Sequence, residues 1–560
     1  MKNNNIISSI LFGLLFTGCS KGLDLVPKDT ISDGTFWKTS IDFKLATNNL
    51  YLSLQGFNTD DAQSDIAYNV ANPVSNGTWQ TTENDNNWNS PYVYIRRCNN
   101  ILAKASSSSI AADLKQSVAE AKFFRAYNYW RLFELYGGVP LITDVLDIVD
   151  QGLYTAKATR EETADFIIKD LTEAAIDLSE KKSLSSADIG RITRGAANSL
   201  KARVALFQGS WQKNRGAANS SKYLEIAIKA ADDVINSSQY ALYTAKGKQS
   251  YRYLFIEDGD NASETIIDRR YQTNISTQGF PFTIITGSLL PTKKLADLYL
   301  CTDGLPVTSS PLFAGYNTPV SEFQNRDPRM AMTFIIPGTP VAQYLYPAPE
   351  PSWPFYPQRN PNTGYTTYKF ISEDVFFNTI SSSGSGVYEF DFHLLRYAEI
   401  LLIYAEASFE KNGNISDADL NKSINLIRAR VGLPNLTNVF VGTNGLNMRD
   451  EIRRERTTEL ALEGFRRDDL RRWKTAETEL PQAVKGIKIV GTGWTNPVVI
   501  NGANRNPYAG AIWQTKTDAN GFIISESNTD RKFDAARDYL WFIPTKEILL
   551  NPKLEQNPGW

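Results

Sequence analysis

Histidine occurs once in 560 residues, at His393, methionine four times and cysteine three times. With a single imidazole, histidine-based triads and most zinc sites have almost no raw material. Carboxylates would have to carry any catalysis. Nor is there excess charge of either sign: Lys+Arg number 59, Asp+Glu 61, and the formal net charge is -2. Such a balance provides no field that would hold a nucleic-acid backbone, and nucleic acid is not an expected partner. No GKS or GKT follows a glycine-rich turn. The GTG at Gly491 to Gly493 and the GSG at Gly384 to Gly386 lack the strand and helix of a nucleotide cradle and read as loops. No cofactor is called for.

Long apolar runs are also missing. The apolar stretch Ile6 to Phe16 follows Lys2 and is too short to span a bilayer, which makes it a secretory signal. It ends in FTGCS, where small Thr17 and Gly18 precede Cys19 as a lipoprotein signal peptidase requires. Residues 1–18 are therefore expected to be removed, and Cys19 to carry a lipid anchor. Cys98 and Cys301 are too few for a disulfide framework, and two buried free thiols are the expectation.

What the chain has in quantity is rings. Aromatic residues make up 12%, with Trp 11 and Tyr 26. Indole and phenol faces stack on the apolar faces of sugars, so part of this inventory suits recognition. Helical periodicity runs from about Thr35 to Leu178, best seen in AEAKFFRAYNYWRLFELYGGVPLIT. There Phe123, Phe124, Tyr127, Trp130 and Phe133 mark a core face, and Gly137, Gly138 and Pro140 stop the helix. Two Ala-rich helices follow in RITRGAANSLKARVALFQGSW and YLEIAIKAADDVINSSQYAL. The successive pairs have a tetratricopeptide-like texture without a strict repeat.

From about Gln249 to Gly386 the texture changes to Gly, Pro, Asn and Ser with scattered rings, which reads as an insertion-like, surface-facing region. Helices resume from about Phe392 to Glu477, with His393 expected as a packed or capping residue at the helical entry. A second loop-rich segment runs from about Pro481 to Arg537. Between Arg449 and Glu477 nine basic residues face eight acidic ones. The balance predicts helix-surface and inter-helix ion pairs, such as Asp450 or Glu451 with Arg454, instead of a phosphate-binding stripe. Glu459 and Glu463 lie four apart, but among so many arginines both should stay ionised, and neither suits a glycosidase general acid.

Several stretches in order carry a resemblance that covers nearly the whole chain: DGTFWKTSIDFKLATNNLY, WNSPYVYIRRCNNIL, EAKFFRAYNYWRLFELYGGVPLI, GRITRGAANSLKARVALFQGSW, NRDPRM, LLRYAEILLIYAEA, ERTTELALEGFRRDDLRRW and LWFIPTKEILLNPKLEQNPGW. The chain resembles the SusD/RagB family of outer-membrane nutrient-binding lipoproteins. The resemblance implies a mainly α fold, an all-helical scaffold of tetratricopeptide-like pairs with long irregular loops carrying the binding face. It implies one such domain over 19–560: a helical part at about 35–247, a loop-rich insertion at about 248–391 and a C-terminal part at about 392–560.

The same resemblance implies a lipid-anchored protein of the bacterial outer membrane, facing outward, that captures a glycan and passes it to a SusC-like TonB-dependent transporter without acting as an enzyme. A helical glycoside hydrolase, a protein-binding helical-repeat adaptor and a peptide-binding member remain as alternatives. Trp37, Trp130, Arg396, Glu399, Glu406, Glu463 and Trp473 sit in shared motifs and read as fold-defining. Ligand contacts are instead expected in loops, at Trp79, Trp353, Phe355 and Tyr356, with Asn86 and Arg359 as hydrogen-bond partners and Trp88 as a runner-up.

Overall fold

The computed structural model describes residues 36–337, 339, 362–373, 387–495, 499–500, 502–504 and 516–560. Its frame is a run of helices: α1 (Ser40–Leu50), α2 (Asn86–Ser106), α3 (Lys115–Tyr136), α4 (Arg160–Asp177), α5 (Arg194–Lys213) and α6 (Ser220–Asn236). Each helix from α2 to α6 packs on the next, and α7 (Tyr397–Asn412) closes against α5 and α6 before meeting α8 (Met448–Glu459). α9 (Arg466–Arg472) leans back on α5.

Local chemistry sets the ends. Thr159 and Glu162 form a reciprocal capping box at the start of α4, and Thr193 accepts from the Ala196 N–H to open α5. Gly137 leaves α3 at a φ of 75°, a conformation that favours a residue without Cβ. Gly209 is required for another reason. A Cβ there would stand 2.9 Å from Leu224 Cγ and 3.0 Å from its backbone nitrogen, so glycine lets α5 and α6 approach closely.

The apolar face read on α3 is wider than one stripe. Phe123, Phe124, Tyr127, Tyr129, Leu132, Phe133 and Tyr136 are all buried, because α2 and α4 flank the helix and Trp541 N–H donates to Leu135 from the C-terminal segment. Sheets are minor, each a two-stranded antiparallel tie. β1 (Ala67–Tyr68) pairs with β3 (Leu290–Pro291), and β2 (Thr265–Arg269) with β4 (Phe392–Arg396). β5 (Val484–Lys488) pairs with β8 (Phe522–Glu526), and β6 (Val499–Ile500) with β7 (Ala503–Asn504).

Three expectations are corrected here. First, the described part of the loop-rich region does not simply face solvent. Tyr251, Phe255, Phe280, Tyr299, Phe334, Tyr365, Phe370 and Phe390 build a second apolar core, joined by Ile487, Trp494 and Ile523. Rings at irregular spacing pack by tertiary contact and leave no periodic signal. Second, the helix expected from about Phe392 begins at Tyr397, and His393 lies just before it on β4, packed as expected. It is buried, with Nε2 2.7 Å from the Leu254 carbonyl oxygen and Nδ1 3.1 Å from the Thr265 hydroxyl, and desolvation lowers its pKa. Cys98 and Cys301 are buried free thiols.

Third, the expected helix-surface and inter-helix ion pairs form, but many of them lie inside. Arg454 does pair with Glu451 at 3.2 Å. Deeper, Glu459 takes Arg396 at 2.7 Å, Arg430 at 2.5 Å and Arg329 at 2.9 Å. Glu264 pairs with Arg396 and Arg430, Glu455 with Arg329 and Arg428, and Glu463 with Arg396 and Lys369. Every member of this hub is buried. The hub ties α8 to β4 and to the second core. Charges buried this way persist only when each is matched by opposite charge and hydrogen bonds.

Candidate functional site

An open cleft of about 450 Å³ lies beside the N-terminus of α2, within the size range of small-ligand sites. Its wall is aromatic. The half-buried Trp79 ring meets Trp541 edge-on at 4.1 Å and Phe542 at 4.9 Å, and is backed by Trp560 at 5.6 Å. Its polar side is rich in amides, among them Asn69, Asn72, Asn84, Asn86 and Asn87.

The segment carrying Trp79 is fixed from below. Asn72 caps the short helix Pro73–Asn76, and its side chain also donates to the Ala62 carbonyl. Gly77 follows at a φ of 75°, and a Cβ there would stand 2.2 Å from the Lys532 carbonyl oxygen. Lys532 N–H donates to the Asn76 carbonyl at 3.1 Å, and Arg531 donates to Ser75 O at 3.0 Å. Farther along, Thr545 N–H and Lys546 N–H donate to the carbonyls of Thr82 and Glu83. One wall therefore comes from residues 72–87 and the other from the end of the chain.

Asp85 anchors the floor. Its Oδ1 accepts from the Asn87 N–H at 2.8 Å and from the Asn87 side chain at 3.0 Å, which caps α2. Its Oδ2 accepts from the Tyr136 hydroxyl at 2.9 Å. Burial first, and then the Asp85 charge, raise the Tyr136 pKa well above its ordinary value, so this phenol remains a donor. Among the described residues no Lys or Arg forms an ion pair with Asp85.

Of the residues expected to touch ligand, Trp79 and Asn86 share this cleft. Trp353, Phe355, Tyr356 and Arg359 lie outside the described residues, as does Cys19. Trp88 is buried against Tyr136 at 4.9 Å and presents no face here. Sequence reasoning missed Asp85, Trp541 and Phe542. Asp85 has the form of an ordinary helix cap, and Trp541 and Phe542 lie more than 450 residues from Trp79, so no local pattern joins them to it. The motif residues take structural partners: Glu399 pairs with Arg203 at 2.6 Å, and Glu406 accepts from Arg472 and from the Trp473 indole. Glu459 and Glu463 stay acidic against burial, the first because three arginines surround it and the second because it lies between Arg396 and Lys369.

The architecture is shared with solved structures. A SusD-like carbohydrate-binding protein from Bacteroides fragilis superposes with a TM-score of 0.75 at 24% identity, covering 93% of this chain and 100% of that one. The fold is thus of the SusD-like, mainly α class. The SusD family model matches residues 260–560. A second model, described as starch-binding associating with outer membrane, matches residues 41–206. The chain belongs to the SusD family. A SusD-like protein of Bacteroides ovatus is 25% identical over 500 residues, 82% of this chain and 80% of that protein. The starch-binding protein SusD of Bacteroides thetaiotaomicron is 25% identical over 315 residues, 49% of this chain and 52% of that one.

Proposed function

We propose that this protein is a cell-surface glycan-binding lipoprotein, anchored through Cys19 in the outer membrane and facing outward, that captures a polysaccharide or oligosaccharide and delivers it to a SusC-like TonB-dependent transporter. The observation that carries the reading is the cleft, in which an indole wall faces a bank of amides and one fixed carboxylate. Rings take the apolar face of a sugar, and the polar bank takes its hydroxyls. Trp79 and Asn86 are the first contacts, and Trp353, Phe355, Tyr356 and Arg359 are proposed as further ligand contacts on sequence grounds. Membership of a family with a starch-binding member and a carbohydrate-binding structural relative supports the ligand class. The outer-membrane description of the second matching model supports the location. Among the described residues no helix is long and apolar enough to cross a membrane.

Capture without cleavage is favoured by the cleft's having one lining carboxylate among the described residues, since glycoside hydrolysis uses two, roughly 5 to 9.5 Å apart. The test is affinity electrophoresis and calorimetry of the soluble form beginning after Cys19 against plant, host and microbial glycans, with reducing-end release measured alongside. Retention of a glycan class without new reducing ends is the expected result. Release of reducing ends would replace the reading with a hydrolase, and retention of no glycan would refute it.

A further inference from the structure

We infer that the cleft selects electrically neutral glycans and rejects uronate-bearing or sulfated ones, with Asp85 as the residue that sets this preference. The inference rests on the glycan-binding reading and specifies its ligand class. Among the described residues no Lys or Arg lines the cleft. Its polar surface consists of amides and hydroxyls, which pair with sugar hydroxyls in either direction, plus the Asp85 carboxylate.

That carboxylate cannot swing away, because three hydrogen bonds from Asn87 and Tyr136 fix it, and it has no cationic partner among the described residues. Arginines behind the wall are already engaged: Arg467 donates to Gln63 at 2.7 Å, pairs with Asp468 at 3.3 Å and reaches Asp60 at 4.0 Å, Arg531 pairs with Glu526, and Arg537 pairs with Asp538 at 2.6 Å. An anionic sugar entering here would lose hydration and meet a like charge that no ion pair offsets among the described residues. A neutral sugar would instead give Asp85 a hydroxyl donor on the open lone pair of Oδ2, a strong, charge-assisted hydrogen bond.

The test uses the soluble form beginning after Cys19 with two sets of probes, amylopectin, laminarin and galactomannan as neutral, and alginate, polygalacturonate and carrageenan as anionic. Each is run with wild type, Trp79→Ala and Asp85→Asn. Asparagine keeps an acceptor for the α2 cap and a partner for Tyr136 while removing the charge. Retardation by a neutral probe only, lost in Trp79→Ala, is the expected result. In Asp85→Asn the anionic-to-neutral affinity ratio should rise by roughly ten-fold at low salt, and the rise should shrink with added salt.

Wild-type binding of an anionic probe through Trp79 would overturn the inference and leave the glycan reading standing. Neutral selectivity with an unchanged ratio in Asp85→Asn would overturn the role of Asp85. Binding that survives Trp79→Ala would overturn the assignment to this cleft, and no binding to any probe would overturn the glycan reading itself.

Discussion

Glu459→Gln is the sharpest test of the buried hub. Its carboxylate is fully buried and neutralises parts of three guanidinium groups, those of Arg396, Arg430 and Arg329, at 2.7, 2.5 and 2.9 Å. The substitution keeps the shape but removes the charge, and it turns an amide N–H₂ toward arginine donors. Breaking a buried ion pair by removing one partner costs about 3 to 5 kcal/mol, because the remaining charge stays buried and unmatched. For a chain of this size, about 4 kcal/mol corresponds to a fall in Tm of roughly 4 °C. Urea denaturation is the better assay, since guanidinium would screen the pairs under study.

The pH dependence adds a second readout. The Glu459 pKa is depressed in the folded state, where the arginines outweigh burial. Its stabilisation is therefore fully present above the unfolded value of about 4.3, and is lost as pH falls from there through the folded value. The gap between wild type and Glu459→Gln should narrow over that acidic range. A loss below about 1 kcal/mol at pH 7, or a gap independent of pH down to the limit of folding, would refute the claim that the hub holds the two cores together.

Trp79→Ala should weaken glycan binding by about 2 kcal/mol, measured by calorimetry, with circular dichroism unchanged; unaltered affinity would remove Trp79 from the site. Gly209→Ala should lower stability by about 1 to 3 kcal/mol in urea, because the added methyl meets Leu224, and the paired change Leu224→Ala should recover part of that loss. Cys98 and Cys301 should resist a maleimide in the native soluble form and react together once denaturant is added, because burial raises the Cys98 thiol pKa and removes both sulfurs from solvent. Fast labelling under native conditions would contradict their placement.

The helical half of the molecule was legible because α3, α5 and α6 carry helical spacing and their own stop signals, such as Gly137 after Tyr136. The extent of α3 burial was not, since it depends on Trp541 reaching Leu135 from the far end of the chain. The Arg and Glu motifs were visible as motifs, but only the fold shows that Arg329, Arg396 and Arg430 converge on Glu459. In the cleft, Trp79 and Asn86 could be read as ring and amide in one Asn-rich stretch. Their partners Trp541 and Phe542 carry no local sign of a site, and a single sequence gives no long-range pairing.

Because Trp79 stands against Trp541 and Phe542, the cleft is a joint between early and late parts of the chain. A folding intermediate with α1 to α6 assembled but residues 538–560 undocked would have its scaffold and lack one wall of the cleft. Ligand affinity is then a report on completed folding. By linkage, a bound glycan would stabilise the docked C-terminal segment, so protection of Trp541 N–H from exchange should rise with saturation of the cleft.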